Sequence, residues 1–275
     1  MALWLSAIAE AGLLLPHAPP LLPQLAAPGA SPRWSRVHGL EMSAPAEKAP
    51  LKVPHSALSP WGIKEISPNR AMVQRVEGMS RKTWKFNDAT RDRVHVALDS
   101  EGRPITADIQ LWIGPDWTPF MLKAYSENGK LRPIQTLVGT RNKLAMIEVR
   151  NTAAHEFPFD AVSNYAEGPM QTLASTIPSS TEGTRVDGGA LRSFPLNPTT
   201  KQLEVVLKTD GRQLNAKIEL LNGPNNAKQT YEVFTNNGEL NSLCVAFNTI
   251  DPSSTVRIVN LATLEFPCYI HLKEN

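Results

Sequence analysis

Cysteine is nearly absent from this sequence: Cys244 and Cys268 are the only two in 275 residues. Two thiols allow one disulfide at most, which argues against a disulfide-stapled secreted scaffold and suits a reducing compartment with buried thiols. Long apolar runs are missing too. The longest, Met1 to Leu15, is interrupted by Glu10, so nothing reaches the roughly 20 apolar residues of a membrane-spanning helix. Neither sign of charge is in excess, with 28 Lys and Arg against 26 Asp and Glu and a formal net charge of +2. That balance argues against electrostatic capture of nucleic acid or of an anionic membrane surface.

Motifs that carry chemistry are missing as well. The histidines are His17, His38, His55, His95, His155 and His271, and no two stand at the i, i+2 or i, i+4 spacing that metal sites on strands or helices favour. There is no phosphate-binding loop, no dinucleotide fingerprint and no Gly-x-Ser-x-Gly nucleophile elbow. Asp108 and Glu148 are the one acid pair considered for glycoside hydrolysis, which needs two facing carboxylates. A solvated polar face is the simpler reading of both. The expectation is a protein with no catalytic residues, no metal and no cofactor.

What is present begins with a change of composition. Residues 1–60 are rich in Ala, Leu, Pro and Ser, and Glu10 is the only acid between Met1 and Leu40. This segment reads as a disordered or targeting segment, because an acid-poor, basic start is what organelle presequences share. From about Trp84 the pattern alternates. Ile105, Ala107, Ile109, Leu111 and Ile113 take every second position with Thr106, Asp108 and Gln110 between them, which is the period of a strand with one buried face. Asn128-Gly129 is a hairpin signal, since both residues tolerate positive φ.

An offset of 109 residues then aligns Val94–Asp160 with Leu203–Tyr269 without a gap, with 18 identities in 67 positions. Gly102-Arg103 matches Gly211-Arg212, Gly114-Pro115 matches Gly223-Pro224, and Asn128-Gly129 matches Asn237-Gly238. Glu156-Phe157-Pro158 matches Glu265-Phe266-Pro267. Turns and inward strand positions recur in register. The predicted fold is therefore all-β, with two tandem homologous β-sandwich-like modules after the targeting segment. The first module covers 61–165 and the second 191–275. The Ser, Thr, Pro and Gly-rich stretch 166–190 between them reads as a linker. Asp108 and Glu148 correspond to Lys217 and Arg257, so the copies share no acid pair.

Trp112 sits on the strand face of Asp108 and Gln110, and Trp117 follows a turn. Tryptophans so placed stack on sugars, pack on a neighbouring subunit, or close the second side of a sandwich. A duplicated sandwich also has edge strands that pair readily with another chain, and a head-to-tail contact that does not close propagates into tubes or sheets.

The runs Arg81 to Phe86, Ser100 to Pro104, Leu111 to Pro119, Leu137 to Asn142 and Glu156 to Phe159 together resemble the pyrenoid shell proteins of diatoms and related algae. The likeness covers about residues 70–272, and Leu191 to Phe194 and Glu265 to Pro267 fit the two-module plan of that family. The resemblance implies a plastid protein that self-assembles into a sheet around the RuBisCO condensate and helps confine CO2. Its partners would be other copies of itself and the RuBisCO matrix on one face. The residues expected to make module contacts are Trp84, Trp112, Trp117, Glu156, Phe157, Pro158, Glu265, Phe266 and Pro267. The alternative expectation is a carbohydrate- or ligand-binding double module that uses the same aromatics without forming a lattice.

Overall fold

The computed structural model describes residues 61–167 and 183–275; the expected targeting segment and most of the expected linker lie outside them. Apart from one short helix, α1 (Ile63–Ile66), every regular element is a strand. In the first half these are β1 (Gln74–Val76), β2 (Arg81–Phe86), β3 (Arg93–Asp99), β4 (Ile105–Ile113), β5 (Trp117–Ser126), β6 (Ile134–Gly139), β7 (Ala145–Asn151) and β8 (Phe159–Tyr165). In the second half they are β9 (Thr184–Val186), β10 (Leu191–Pro195), β11 (Gln202–Lys208), β12 (Leu214–Asn222), β13 (Ala227–Thr235), β14 (Leu243–Asn248), β15 (Ser254–Asn260) and β16 (Cys268–Glu274). The all-β expectation holds. Residues 184–186, inside the stretch expected to be a linker, form β9, because a three-residue edge strand is too short to leave a periodic signal.

The strands form two antiparallel eight-stranded sheets. Sheet I runs β1-β8-β3-β6-β14-β11-β16-β9 and sheet II runs β10-β15-β12-β13-β5-β4-β7-β2. Each half of the chain supplies four neighbouring strands to each sheet. The halves meet edge to edge twice: β6 pairs with β14 through Leu137–Cys244 and Thr136–Val245, and β5 pairs with β13 from Ser126–Gln229 to Phe120–Thr235. The two halves are thereby joined into one pair of sheets. A single core lies between the sheets and holds Val94, Ile109, Phe120 and Ile147 of the first half with Leu203, Ile218, Phe247 and Ile258 of the second. Each such side chain contributes about 1.5–3 kcal/mol by leaving water.

The β6–β14 ladder is short, and Tyr231 of β13 fills the place where it opens. Its buried hydroxyl accepts from the Gln135 backbone N–H at 3.1 Å and from Gln229 Nε2 at 3.0 Å, and donates to the Ala246 carbonyl at 3.4 Å. One side chain of sheet II thus satisfies backbone groups from both halves of sheet I, which would otherwise be buried and unpaired. Burial pushes the Tyr231 phenol well above its usual range.

Each half closes with the same clasp. Asn151 donates through Nδ2 to the carbonyls of Val76 and Phe157, and Asn260 donates to those of Val186 and Phe266. Arg103 reaches the Glu156 carbonyl, and Arg212 the Glu265 carbonyl. The chain passes so closely there that a Cβ on Gly78 would stand 2.0 Å from the Ala154 carbonyl oxygen, and one on Gly188 1.8 Å from that of Thr263. Only glycine permits that approach.

Candidate assembly surface

The two broad outer faces differ because, among the described residues, only one of them is covered. On sheet I the outward positions of β6, β11 and β14 carry Leu137, Val206, Cys244 and Ala246, and Trp61 lies over them, fully buried. Its Nε1 donates to Glu204 Oε1 at 3.2 Å, and its ring meets His95 edge-on at 5.6 Å. Ile63 of α1 covers Ala97 and Val162 in the same manner. Burial holds the His95 imidazole down at about 4. Four residues further along β3, Asp99 is pushed up to about 6, first by burial and then by the neighbouring Asp160 carboxylate, against the pull of Arg70 and Lys64.

Sheet II keeps its outer face open. Met121 on β5 and Phe234 on β13 are direct cross-strand partners and are 38% and 39% exposed. Next to them, along the ladders, runs a row of charges: Arg150 opposite Asp108, Asp108 opposite Lys123, Lys123 opposite Glu232, and Glu232 opposite Lys217. Opposite charges facing across a ladder support the sheet. Among the described residues, however, no ion pair within 4.0 Å takes in Asp108, Lys123 or Glu232. Lys217 instead contacts Glu219 at 2.9 Å.

Trp117 stands at the start of β5, beyond a bulge that sets it opposite the core residue Ile113, and is 36% exposed at the end of the sheet. The Arg141 guanidinium lies 4.9 Å from its ring centroid and the Lys143 ammonium 5.6 Å. Arg141 also donates to Asn241 Oδ1 at 2.5 Å and to Asn236 Oδ1 at 2.9 Å, so it ties the β6–β7 turn of one half to the β13–β14 turn of the other. Arg141 and Asn142 hold φ of 57° and 51°. A left-handed arginine costs on the order of 1 kcal/mol and persists because its surroundings fix it.

The other residues expected to make contacts are distributed differently. Trp112 is half-buried on the open face, opposite Met146 of β7, and its Nε1 is buried without an acceptor among the described residues. Trp84 points inward at 8% exposure and belongs to the core. Glu156 and Glu265 are exposed, and Phe157, Pro158, Phe266 and Pro267 are half-buried. These two segments take part in the clasps through their carbonyls, and Arg212 adds a contact over the Phe266 ring at 5.9 Å. Asp108 is half-buried on the open face, whereas Glu148, expected on a solvated face, is sealed between Arg81 and Arg150 at 4% exposure. Glu219 is enclosed in the same way by Lys217 and Arg257.

Met121, Phe234, Arg141, Trp61 and Tyr231 were not singled out from the sequence. The outward phase of β5 and β13 marks Met121 and Phe234, but not that they adjoin. The edge strands, which the sequence reading held ready for pairing, carry Arg81, Lys82 and Lys85 on β2, Arg192 and Pro195 on β10, Arg75 on β1 and Arg185 on β9. Basic side chains and proline blunt an edge against further strands.

Both cysteines are free and buried, and burial pushes each thiol up to about 12. Among the described residues no three His, Cys, Asp or Glu side chains are placed to hold a metal ion, and no helix is long and apolar enough to cross a membrane. The family model described as "Diatom pyrenoid shell protein" matches residues 67–274, about three quarters of the chain. No curated protein matches it.

Proposed function

Because the chain belongs to the diatom pyrenoid shell protein family, we propose that it is a structural protein that self-assembles into a sheet enclosing the RuBisCO-rich pyrenoid of the plastid. There the sheet would support CO2 concentration and fixation, with the RuBisCO matrix against one face. Beside the family, the observation that carries this reading is the outer face of sheet II, where Met121 and Phe234 are exposed side by side next to Asp108, Lys123 and Glu232, which make no close ion pair among the described residues. The blunted edges direct association to faces and turns.

We also read the two halves as tandem modules, 61–165 and 191–275, related by the 109-residue offset. The duplicated Asn151 and Asn260 clasps support it. So do the joins, because the central pairs, Lys123–Glu232 and Thr136–Val245, are each 109 residues apart. One pseudo-twofold axis through both sheets accounts for both pairs. The carbohydrate-binding alternative has less support, since Arg141 and Lys143 occupy the Trp117 ring where a sugar would stack.

Negative-stain electron microscopy with sedimentation of the full chain over a concentration series tests the reading. Sheets or tubes are expected. A small monodisperse species at every concentration would sink self-assembly as an intrinsic property.

A further inference from the structure

Positions related by the repeat offset carry opposite charge along the central row of the open face. Lys123 corresponds to Glu232, and Asp108 to Lys217. Across sheet II their order is Asp108, Lys123, Glu232, Lys217, on β4, β5, β13 and β12 in turn. Rotating a second copy by 180° about an axis that lies along the strands, between β5 and β13, reverses this order and lays the row on itself. Lys123 then meets Glu232 of the second copy, and Asp108 meets Lys217. At the ends, Arg150 meets Val259, the β15 partner of Lys217. No like charges are brought together.

In the adjoining row the same rotation puts Met121 over Phe234 of the second copy and Gln110 over Asn215. Four exposed apolar side chains would then leave water in the row that adjoins the paired charges.

We propose that the open face of sheet II is a self-complementary interface, which binds the same face of a second copy through this twofold relation. The proposal rests on the self-assembly reading and names one of its contacts. Three observations converge on a second copy as the occupant. The charge row is complementary to itself, while Asp108, Lys123 and Glu232 make no close ion pair within the chain among the described residues. The exposed Met121–Phe234 pair lies beside the proposed axis. The edges of both sheets are basic, which disfavours strand addition. Sheets stacked face to face align their strands within about 30°.

Cross-linking between two single-cysteine variants tests the geometry, since Cys244 and Cys268 are buried. Asp108 and Lys217 of one chain are three strand spacings apart, roughly 14 Å, whereas facing sheets lie about 10 Å apart. Full-length Asp108→Cys chains mixed with Lys217→Cys chains, treated with a bis-maleimide of about 10 Å span, should give a covalent dimer of one chain of each kind. Either variant alone should give several-fold less. In parallel, Lys123→Glu should weaken association about tenfold or more by setting like charges face to face, and adding Glu232→Lys should restore it. Wild-type assemblies with no linked dimer, or with equal linking of the single variants, would overturn this interface and leave self-assembly standing. Wild type that stays monomeric at every concentration would overturn the shell reading itself.

Discussion

Lys123 and Glu232 face each other on adjacent strands at the centre of the β5–β13 ladder, where the two halves of the chain join in sheet II. Beneath that ladder, on the inward side of β13, Tyr231 reaches to the corresponding join in sheet I. The joins are therefore the places where a single substitution should act on the whole body.

Tyr231→Phe keeps the ring and its 5.0 Å contact with Phe247 but removes the acceptor used by the Gln135 N–H and by Gln229. Leaving a buried donor unpaired costs about 1–3 kcal/mol. Urea unfolding should show a loss of that size. An unchanged midpoint would mean that water replaces the hydroxyl.

Arg141→Ala removes the cation from the Trp117 ring together with the bonds to Asn236 and Asn241. A loss of about 1–3 kcal/mol is expected from the hydrogen bonds and the cation–π contact together. A change in Trp117 emission should accompany it. Comparison with Trp117→Phe, which keeps an aromatic face, separates the ring contact from the bonds to asparagine.

His95 and Asp99 should give opposite pH dependences. His95 titrates near 6.5 unfolded and about 4 folded, so the unfolded chain binds more protons between these values. Its contribution is complete above about 6.5 and is lost as the pH falls to about 4, by about 3 kcal/mol in all. Asp99 titrates near 3.8 unfolded and about 6 folded, so the folded chain holds the extra proton and stability falls as pH rises through that window. Partial exposure limits this to about 1–2 kcal/mol. The two slopes oppose each other between about pH 4 and 6. Thermal unfolding of His95→Phe should then lose stability with rising pH there, and Asp99→Asn should gain it.

Cys244 and Cys268 should not react with an alkylating reagent at pH 8 in the native state, because both thiols are buried and titrate near 12. Mass spectrometry should find two labels only after denaturation. Rapid native labelling would place at least one thiol at the surface.

Much of the fold was legible in the residues. The alternation from Ile105 to Ile113 matches the burial of β4 position by position. Gly102 and Gly114 adopt positive φ, at 98° and 68°, but Asn128-Gly129, expected to turn a hairpin, has no positive φ and instead carries the chain from β5 in sheet II to β6 in sheet I. Trp117 was legible as an exposed residue that follows a turn. Trp84 was not, since a six-residue strand with a single internal tryptophan does not declare which side is wet, and its neighbour β7 turns that position inward.

By itself the sequence determined most of the strands, the inward phase of β4 and β12, and the outward placement of Asp108 and its counterpart Lys217. These follow from side-chain periodicity and turn chemistry, which act over a few residues. Only the tertiary structure decided that β5 lies against β13 and β6 against β14, that Tyr231 closes the gap, and that Met121 stands beside Phe234. Backbone hydrogen bonds are alike for every strand, so the choice of partner about 100 residues away comes from closing one shared core and not from any local pattern.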